Sequence, residues 1–417
     1  MKICWWTMGP NTHQRSLVEA LRALGVDVEV CYFHGKYGTD RLQMGWKDPE
    51  LKAWEHYVRT IGEARIQLPD FDNRVQMVPS FFNLTSWKLI LRCTLKGLPW
   101  FSITEGTRGR WFMRPLFRLF CWFVDRYALK HFALGGPRTR QQFVDAGVRP
   151  EKEVPFAYAT MKFDVAGLTF DVQDSRFDVA GLTFDVQGSK FDVDGVVKLQ
   201  TSNFKLQTSN VKPQTSNVKP QTPNVKPQTS NVKPQTVFVY AGSFCERKAT
   251  DVLLAAWERL HREFPAAKLI LAGGGEWQAR VEAVAGEASG IEYVGAVQQE
   301  KIYEVICRGD VMLLPSRYDP WGVALVEGGM AGLAMVGSDR TGAAEELVRD
   351  GENGYVVKAG DVGDLLRVLR IYAADRNLAR RHGAAARQTA EQTTGENLAR
   401  KLIGAFGGVD GGQNGVV

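Results

Sequence analysis

Residues 317–327 read RYDPWGVALVE, within the longer stretch DVMLLPSRYDPWGVALVEGGMAGLAMVG that spans 310–337. Its first part, DVMLLPS, is a short apolar run closed by Pro-Ser, the pattern of a buried strand. VALVEGGMAG has helical length and pattern, and LAMVGS is a second apolar strand. Strand, loop, helix and strand joined by short links form one unit of a parallel sheet covered on both faces. The loop carries Asp319, and Glu327 follows eight positions later, about one and a half turns beyond the helix start at Gly322.

A helix start offers free N–H groups and a positive dipole end to an anion. Gly322 keeps that approach clear of a side chain. The two carboxylates do not bind phosphate, but each accepts hydrogen bonds from hydroxyls, worth about 1.5 to 3 kcal/mol when charge-assisted. Phosphate at the helix end, with hydroxyl-bearing rings beside it, describes a sugar nucleotide. The plain alternative is that Asp319 caps the helix and Glu327 is one more solvated acid.

Outward from this stretch, the half beginning at Val237 alternates strand and helix: VFVYAG, DVLLAAWERL, KLILAGG, EWQARVEAVA, IEYVG, KIYEVICRG. The N-terminus opens the same way, with a strand over 2–7 and a helix in which Leu17, Ala20, Leu21 and Leu24 share one face. VDVEVCYF then alternates as a second strand. The expectation is a two-lobed α/β protein, two Rossmann-like domains facing each other across a cleft that holds the ligand.

Between the halves the chain repeats. From Phe163 it runs FDVAGLTFDVQDSR and FDVAGLTFDVQGSK, and from Val197 it settles into units such as VKPQTSN with a period of seven. Pro213, Pro220, Pro227 and Pro234 recur in one register, and at about 3 kcal/mol per interior proline they exclude a helix by roughly 12 kcal/mol. The heptads are expected to be extended or disordered, and the FDV units to pair as short strands. The expected organisation is an N-terminal acceptor domain over 1–162, a low-complexity insertion over 163–236, a donor domain over 237–395, and a crossover helix with a flexible tail over 396–417.

Composition sets outer limits. At 417 residues, 44% hydrophobic and 24% charged, with a net charge of +6, the chain is an ordinary globular one, too mildly basic for a nucleic-acid-packaging protein. The six cysteines are scattered without a CxxC pair, so they are expected to be reduced core thiols in a cytosolic protein. The N-terminus, MKICWWTMGP, is too weakly charged and too short in apolar run for a signal peptide, and no stretch reaches about 18 consecutive apolar residues.

PSRYDPWGVALVEGGMAGLAMV resembles the glycosyltransferase group 1 family, family 4 of the retaining glycosyltransferases, whose signature is E-x7-E within a stretch like PSxxEPFGLVxLEAMAAGLPVV. Asp319 replaces the first Glu, Trp321 the Phe and Ala334 the usual Pro, while Glu327 matches the second Glu. The resemblance implies a GT-B fold and a nucleotide-sugar donor, with Glu327 on the ribose and Asp319, one methylene shorter than Glu, beside the donor sugar. YAGSFCERKATDVLLAAW is similar to the family's strand, Gly-rich loop and Lys-Gly ahead of a helix, which puts Gly242 in the loop and Lys248 at the phosphate-binding lysine. Ser243 stands where many members carry arginine, and Arg247 is placed to supply that charge. IEYVGAV, containing Gly295, resembles the segment that lines the base pocket, and Gly9 occupies the loop where the family brings backbone close to the donor phosphate. The resemblance further implies retention of anomeric configuration without a metal or other cofactor, in line with the lack of a DxD-type pair at a strand end.

The N-terminal half is expected to receive the acceptor, a glycan or a lipid-linked molecule, with Glu105 as a polar group on that side. His13, His34 and His56 show no ligand spacing and read as surface or core residues rather than catalysts. RGRWFMRPLFRLFCWFVDRYALK, 108–130, interleaves arginines with aromatics. It suits either a peripheral membrane surface at the inner face of the membrane or a helix packed under its own lobe. A catalytically impaired nucleotide-sugar-binding homologue and an epimerase or phosphorylase of the same architecture stay open as alternatives. The lysine-bearing repeats lack stacking aromatics, so nucleic acid is not expected as a partner.

Overall fold

The structure, a computed structural model, describes residues 1–10, 12–33, 50–79, 83–105, 114–160, 176–179, 182–185 and 235–407. Two compact units divide the chain: Met1–Lys162 together with Pro234–Val417, and Phe163–Lys233. Within the second, Arg176–Val179 and Leu182–Asp185 pair antiparallel, in the FDV part of the repeats. The heptads that were expected to be extended or disordered lie outside the described residues.

The first unit carries two parallel sheets. The N-terminal one is built from β1 (Lys2–Thr7), α1 (Thr12–Ala23), β2 (Asp27–Tyr32), β3 (Glu55–Tyr57), α2 (Ile61–Gln67), β4 (Val75–Val78), α3 (Leu84–Lys96), β5 (Trp100–Thr104), α4 (Arg114–Tyr127), β6 (His131–Leu134), α5 (Pro137–Asp145) and β7 (Glu153–Phe156). Its strands lie in the order β3-β2-β1-β4-β5-β6-β7. Both faces are covered, so β1 does not alternate in polarity. Ile3 and Trp5 pack on one side with Leu17 and Leu21 of α1, and Cys4 and Trp6 on the other with Leu89, Ile90 and Phe120.

After the repeats, which hold the strand pair β8 and β9 just described, the second sheet follows. Its elements are β10 (Val237–Ala241), α6 (Thr250–Glu263), β11 (Lys268–Ala272), α7 (Gln278–Val284), β12 (Ile291–Gly295), α8 (Ile302–Ile306), β13 (Val311–Leu314), α9 (Val323–Met330), β14 (Ala334–Ser338), α10 (Gly342–Leu347), β15 (Gly354–Val357), α11 (Val362–Ala374) and α12 (Arg376–Ala390). The strand order is β12-β11-β10-β13-β14-β15. The last helix, α13 (Gly395–Gly407), returns to the N-terminal sheet. The Phe406 ring packs at a tilt against Phe101, centroids 4.6 Å apart, and the backbone of Thr160 bridges to Thr394. The lobes also meet where Arg140 of α5 pairs with Glu346 of α10 at 2.8 Å.

In each sheet the strand order reverses once, between β1 and β4 and between β10 and β13. Outside the carboxyl ends of strands at such a reversal, the flanking loops diverge and open a crevice. Gly9 follows β1, while Gly242 and Asp319 follow β10 and β13, so the sequence-derived site residues stand at these crevices. Among the described residues no helix is long and apolar enough to cross a membrane, and all six cysteines are free of disulfides.

Candidate active site

The loop after β13 is held on three sides. Its backbone bonds to the strand-to-helix turn before α10, Asp319 N to Arg340 O at 3.0 Å and Ala343 N to Trp321 O at 2.7 Å. Arg317 grips Asp251 in the first turn of α6 through two bonds of 2.7 Å, and this guanidinium holds the Asp251 carboxyl below its ordinary range. The carbonyl of Arg247 accepts from the Arg317 amide at 2.9 Å, and the Arg247 guanidinium donates to the Tyr318 carbonyl at 3.1 Å. Two sequence stretches about 70 residues apart thus form one rigid rim.

Lys248 follows from that rim. The residue after it, Ala249, takes a left-handed conformation at φ 57° and is fully buried. This turn stands where the Lys-Gly pattern has glycine, and it reverses the chain into α6. The Lys248 ammonium makes an ion pair with the Asp319 carboxylate. Both side chains are largely buried, so each is the other's main charge partner.

Gly322 heads α9 at φ 92°, and a Cβ there would meet Thr341 and Leu314 side-chain atoms at 2.6 and 2.7 Å. Backbone conformation and packing both require glycine there. Further along the helix, a Cβ on Gly328 would sit 2.4 Å from Met312. The missing side chain lets α9 lie directly on β13. Glu327 is 5% exposed, and burial pushes its carboxyl up to about 7.

Facing Glu327 is His13 of α1, with Nε2 at 4.0 Å from Oε1. Its Nδ1 lies 2.9 Å from the Ala159 carbonyl, which only a donor satisfies. The neutral ring therefore carries its proton on Nδ1 and accepts at Nε2 from the Gln299 amide at 2.7 Å. Reasoning from sequence missed this residue: nothing in a lone histidine near the N-terminus points to a partner more than 300 positions away. His34 lies outside the described residues, and His56 bonds Glu29 at 2.6 Å.

The remaining expected residues divide. Arg247 is exposed on the rim, Gly242 stands at the end of β10 with its amide on Ala272 O at 2.9 Å, and Gly295 closes β12. Gly9 is half-buried in the loop after β1. Glu105, at the carboxyl end of β5, accepts the Tyr158 hydroxyl. Trp321 is 2% exposed and packed in the core. Among the described residues there is no group of three or more His, Cys, Asp or Glu arranged to hold a metal ion.

A cationic rim, a buried carboxylate and a paired carboxylate at the reversal of a parallel sheet suit an anionic, hydroxyl-bearing ligand. Residues 221–389 match the family model described as glycosyl transferases group 1. These residues belong to that family. The chain is 31% identical over 156 residues to the glycogen synthase of Mycobacterium tuberculosis, covering 36% of this chain and 37% of that one. It is 28% identical over 183 residues to the GDP-mannose-dependent alpha-(1-6)-phosphatidylinositol monomannoside mannosyltransferase of Mycolicibacterium smegmatis, covering 40% and 48%. The chain thus covers less than half the length of these curated relatives. In three dimensions the whole chain is similar to Anabaena Alr3699/HepE, solved in complex with UDP and glucose, at a TM-score of 0.63 and 14% identity, covering 98% of this chain and 100% of that one. That likeness shows the fold, two Rossmann-like domains, beyond the reach of the group 1 domain.

Proposed function

We propose that the protein is a retaining glycosyltransferase that takes a nucleotide-activated hexose in its group 1 domain and passes the sugar to an acceptor held by the N-terminal lobe. The observation that carries this reading is the Lys248–Asp319 ion pair in the loop ahead of α9, with the Glu327 carboxyl buried within that helix. The UDP-bound relative and the GDP-mannose-dependent relative support the donor class.

In this reading Glu327, once ionised, accepts the ribose hydroxyls. The diphosphate lies against the N-terminus of α9, with Arg247 and Lys248 as its counter-charges. The incoming phosphate competes for the Lys248 ammonium that Asp319 holds in the donor-free protein. Asp319 then turns its oxygens to the donor sugar. The bond from the anomeric carbon to the diphosphate breaks while the acceptor hydroxyl forms the new bond on the same face. The hydroxyl proton passes to the departing phosphate oxygen. Negative charge grows on the diphosphate during this step, and the two cations and the helix end stabilise it without requiring a divalent ion. Glu105 and Tyr158, at the carboxyl end of the facing sheet, are the acceptor-side groups.

The test is release of nucleoside diphosphate from a panel of sugar nucleotides, with and without acceptor and chelator. Release that depends on acceptor and persists in chelator is expected. Binding without release would favour a non-catalytic binding protein, and turnover without acceptor would favour an epimerase or hydrolase.

A further inference from the structure

Helices α3 and α4 lie on the same side of the N-terminal sheet, because the chain steps in one direction from β4 through β5 to β6 and parallel crossovers share one hand. Their inner residues, among them Leu89, Cys93, Phe117 and Val124, join one buried cluster. Trp87 of α3 stands edge-on to Phe120 and Phe123 of α4, at 6.3 and 5.9 Å, so the helices run side by side.

Their outer faces are unlike an ordinary solvated surface. On α3, Leu84, Lys88, Leu91 and Leu95 recur at helical spacing along one stripe, and Leu95 is 83% exposed. On α4, Leu119 and Trp122 are exposed, Trp122 by 53%, between Arg118 and Arg126. Single exposed leucines need no explanation, but five large apolar side chains on two adjoining helices form a patch. Among the described residues of the two helices, Lys88, Lys96, Arg118 and Arg126 are exposed cations. Asp72 and Asp125 are engaged by Arg92 at 2.7 Å and Arg149 at 3.0 Å.

We propose that the outer face of α3 and α4 docks on a membrane leaflet containing anionic lipid. Apolar side chains of this size gain by entering the acyl boundary, long cationic stems reach up to the headgroups, and anionic lipid supplies the missing counter-charge. The face adjoins the acceptor opening. Both helices start from the carboxyl ends of β4 and β5, and Asn83 at the head of α3 donates to Met8 Sδ, in the loop after β1, at 3.8 Å. Resting on the transferase reading, this placement makes the acceptor a lipid-linked one, presented edge-on to the lobe that carries Glu105.

The test is co-sedimentation of the full chain with vesicles of phosphatidylcholine alone or with about 30% phosphatidylglycerol, an anionic content that gives a strong surface potential. Binding to the anionic vesicles alone is expected, weakening from about 0.1 to 1 M salt as the screening length shrinks. Leu95→Glu with Trp122→Glu, and separately Lys88→Glu with Arg118→Glu, are each expected to lower vesicle affinity about tenfold or more with the thermal midpoint unchanged. No sedimentation, equal binding to neutral vesicles, or variants that bind like wild type would overturn the proposal. So would a dimer that the same substitutions dissolve in a protein that ignores vesicles. No donor enters this assay, so its failure leaves the transferase reading standing, and loss of transfer activity leaves vesicle binding to be judged alone.

Discussion

His13 Nε2, on the first turn of the N-terminal lobe's α1, stands 4.0 Å from Glu327 Oε1 of the group 1 domain, and the carboxyl it faces is buried with its pKa pushed up to about 7. In the unfolded chain that carboxyl titrates near its ordinary 4.5. Between the two values the native state keeps a proton that the unfolded chain has lost. Stability contributed at this position is therefore complete below pH 4.5 and declines as pH rises through 7. An interval from 4.5 to about 7 corresponds to about 3 kcal/mol. Denaturant unfolding at pH 5 and pH 8 is expected to show wild type losing stability on this scale at the higher pH, with Glu327→Gln losing much less.

Lys248 and Asp319 are each other's charge partner in a largely buried pair. Lys248→Met leaves the Asp319 carboxylate without its counter-ion, which destabilises by about 3 kcal/mol or more unless the acid takes up a proton. The same change removes a cation from the diphosphate and is expected to lower transfer turnover by about a hundredfold or more. Lys248→Met with Asp319→Asn is expected to recover most of the stability and none of the turnover. Thermal unfolding and nucleoside diphosphate release measured on the same samples separate the two roles.

Ala249 carries opposing terms. A left-handed conformation costs a non-glycine residue roughly 1 to 2 kcal/mol, whereas its buried methyl contributes about 0.8 kcal/mol. Ala249→Gly relieves the first and loses the second, so its unfolding free energy is expected within about 1 kcal/mol of wild type. Ala249→Pro, which cannot adopt φ 57°, is expected to unfold the Lys248 turn and abolish donor binding.

Residues 163–233 form a unit of their own. Replacing them by a short Gly/Ser linker is expected to leave the thermal midpoint of the remainder unchanged and to alter closure entropy by no more than about 2 kcal/mol. A large fall in the midpoint would mean that the repeats support the two-sheet unit.

What could be read ahead of the structure follows physical lines. The group 1 domain was legible because buried parallel strands must be apolar runs, and because Asp319 and Glu327 sit on one continuous loop and helix whose spacing fixes their geometry. Lys248 was legible for the same reason, as a local turn before a helix. His13 was not, since its setting is made by Ala159 and Gln299, distant in sequence and on different elements. The basic aromatic pattern of α4 was visible in sequence, whereas the leucine stripe of α3 acquired meaning only when Trp87 set the two helices together.

The most direct measurement is calorimetric titration of the protein with nucleoside diphosphates, repeated on Glu327→Ala, Lys248→Ala and Glu105→Ala. With the donor seated against the start of α9, affinity is expected to fall about tenfold or more in the first two variants and to stay at the wild-type value in the third. Equal affinity in all four proteins, or a loss confined to Glu105→Ala, would contradict the placement of the donor between Lys248 and Glu327.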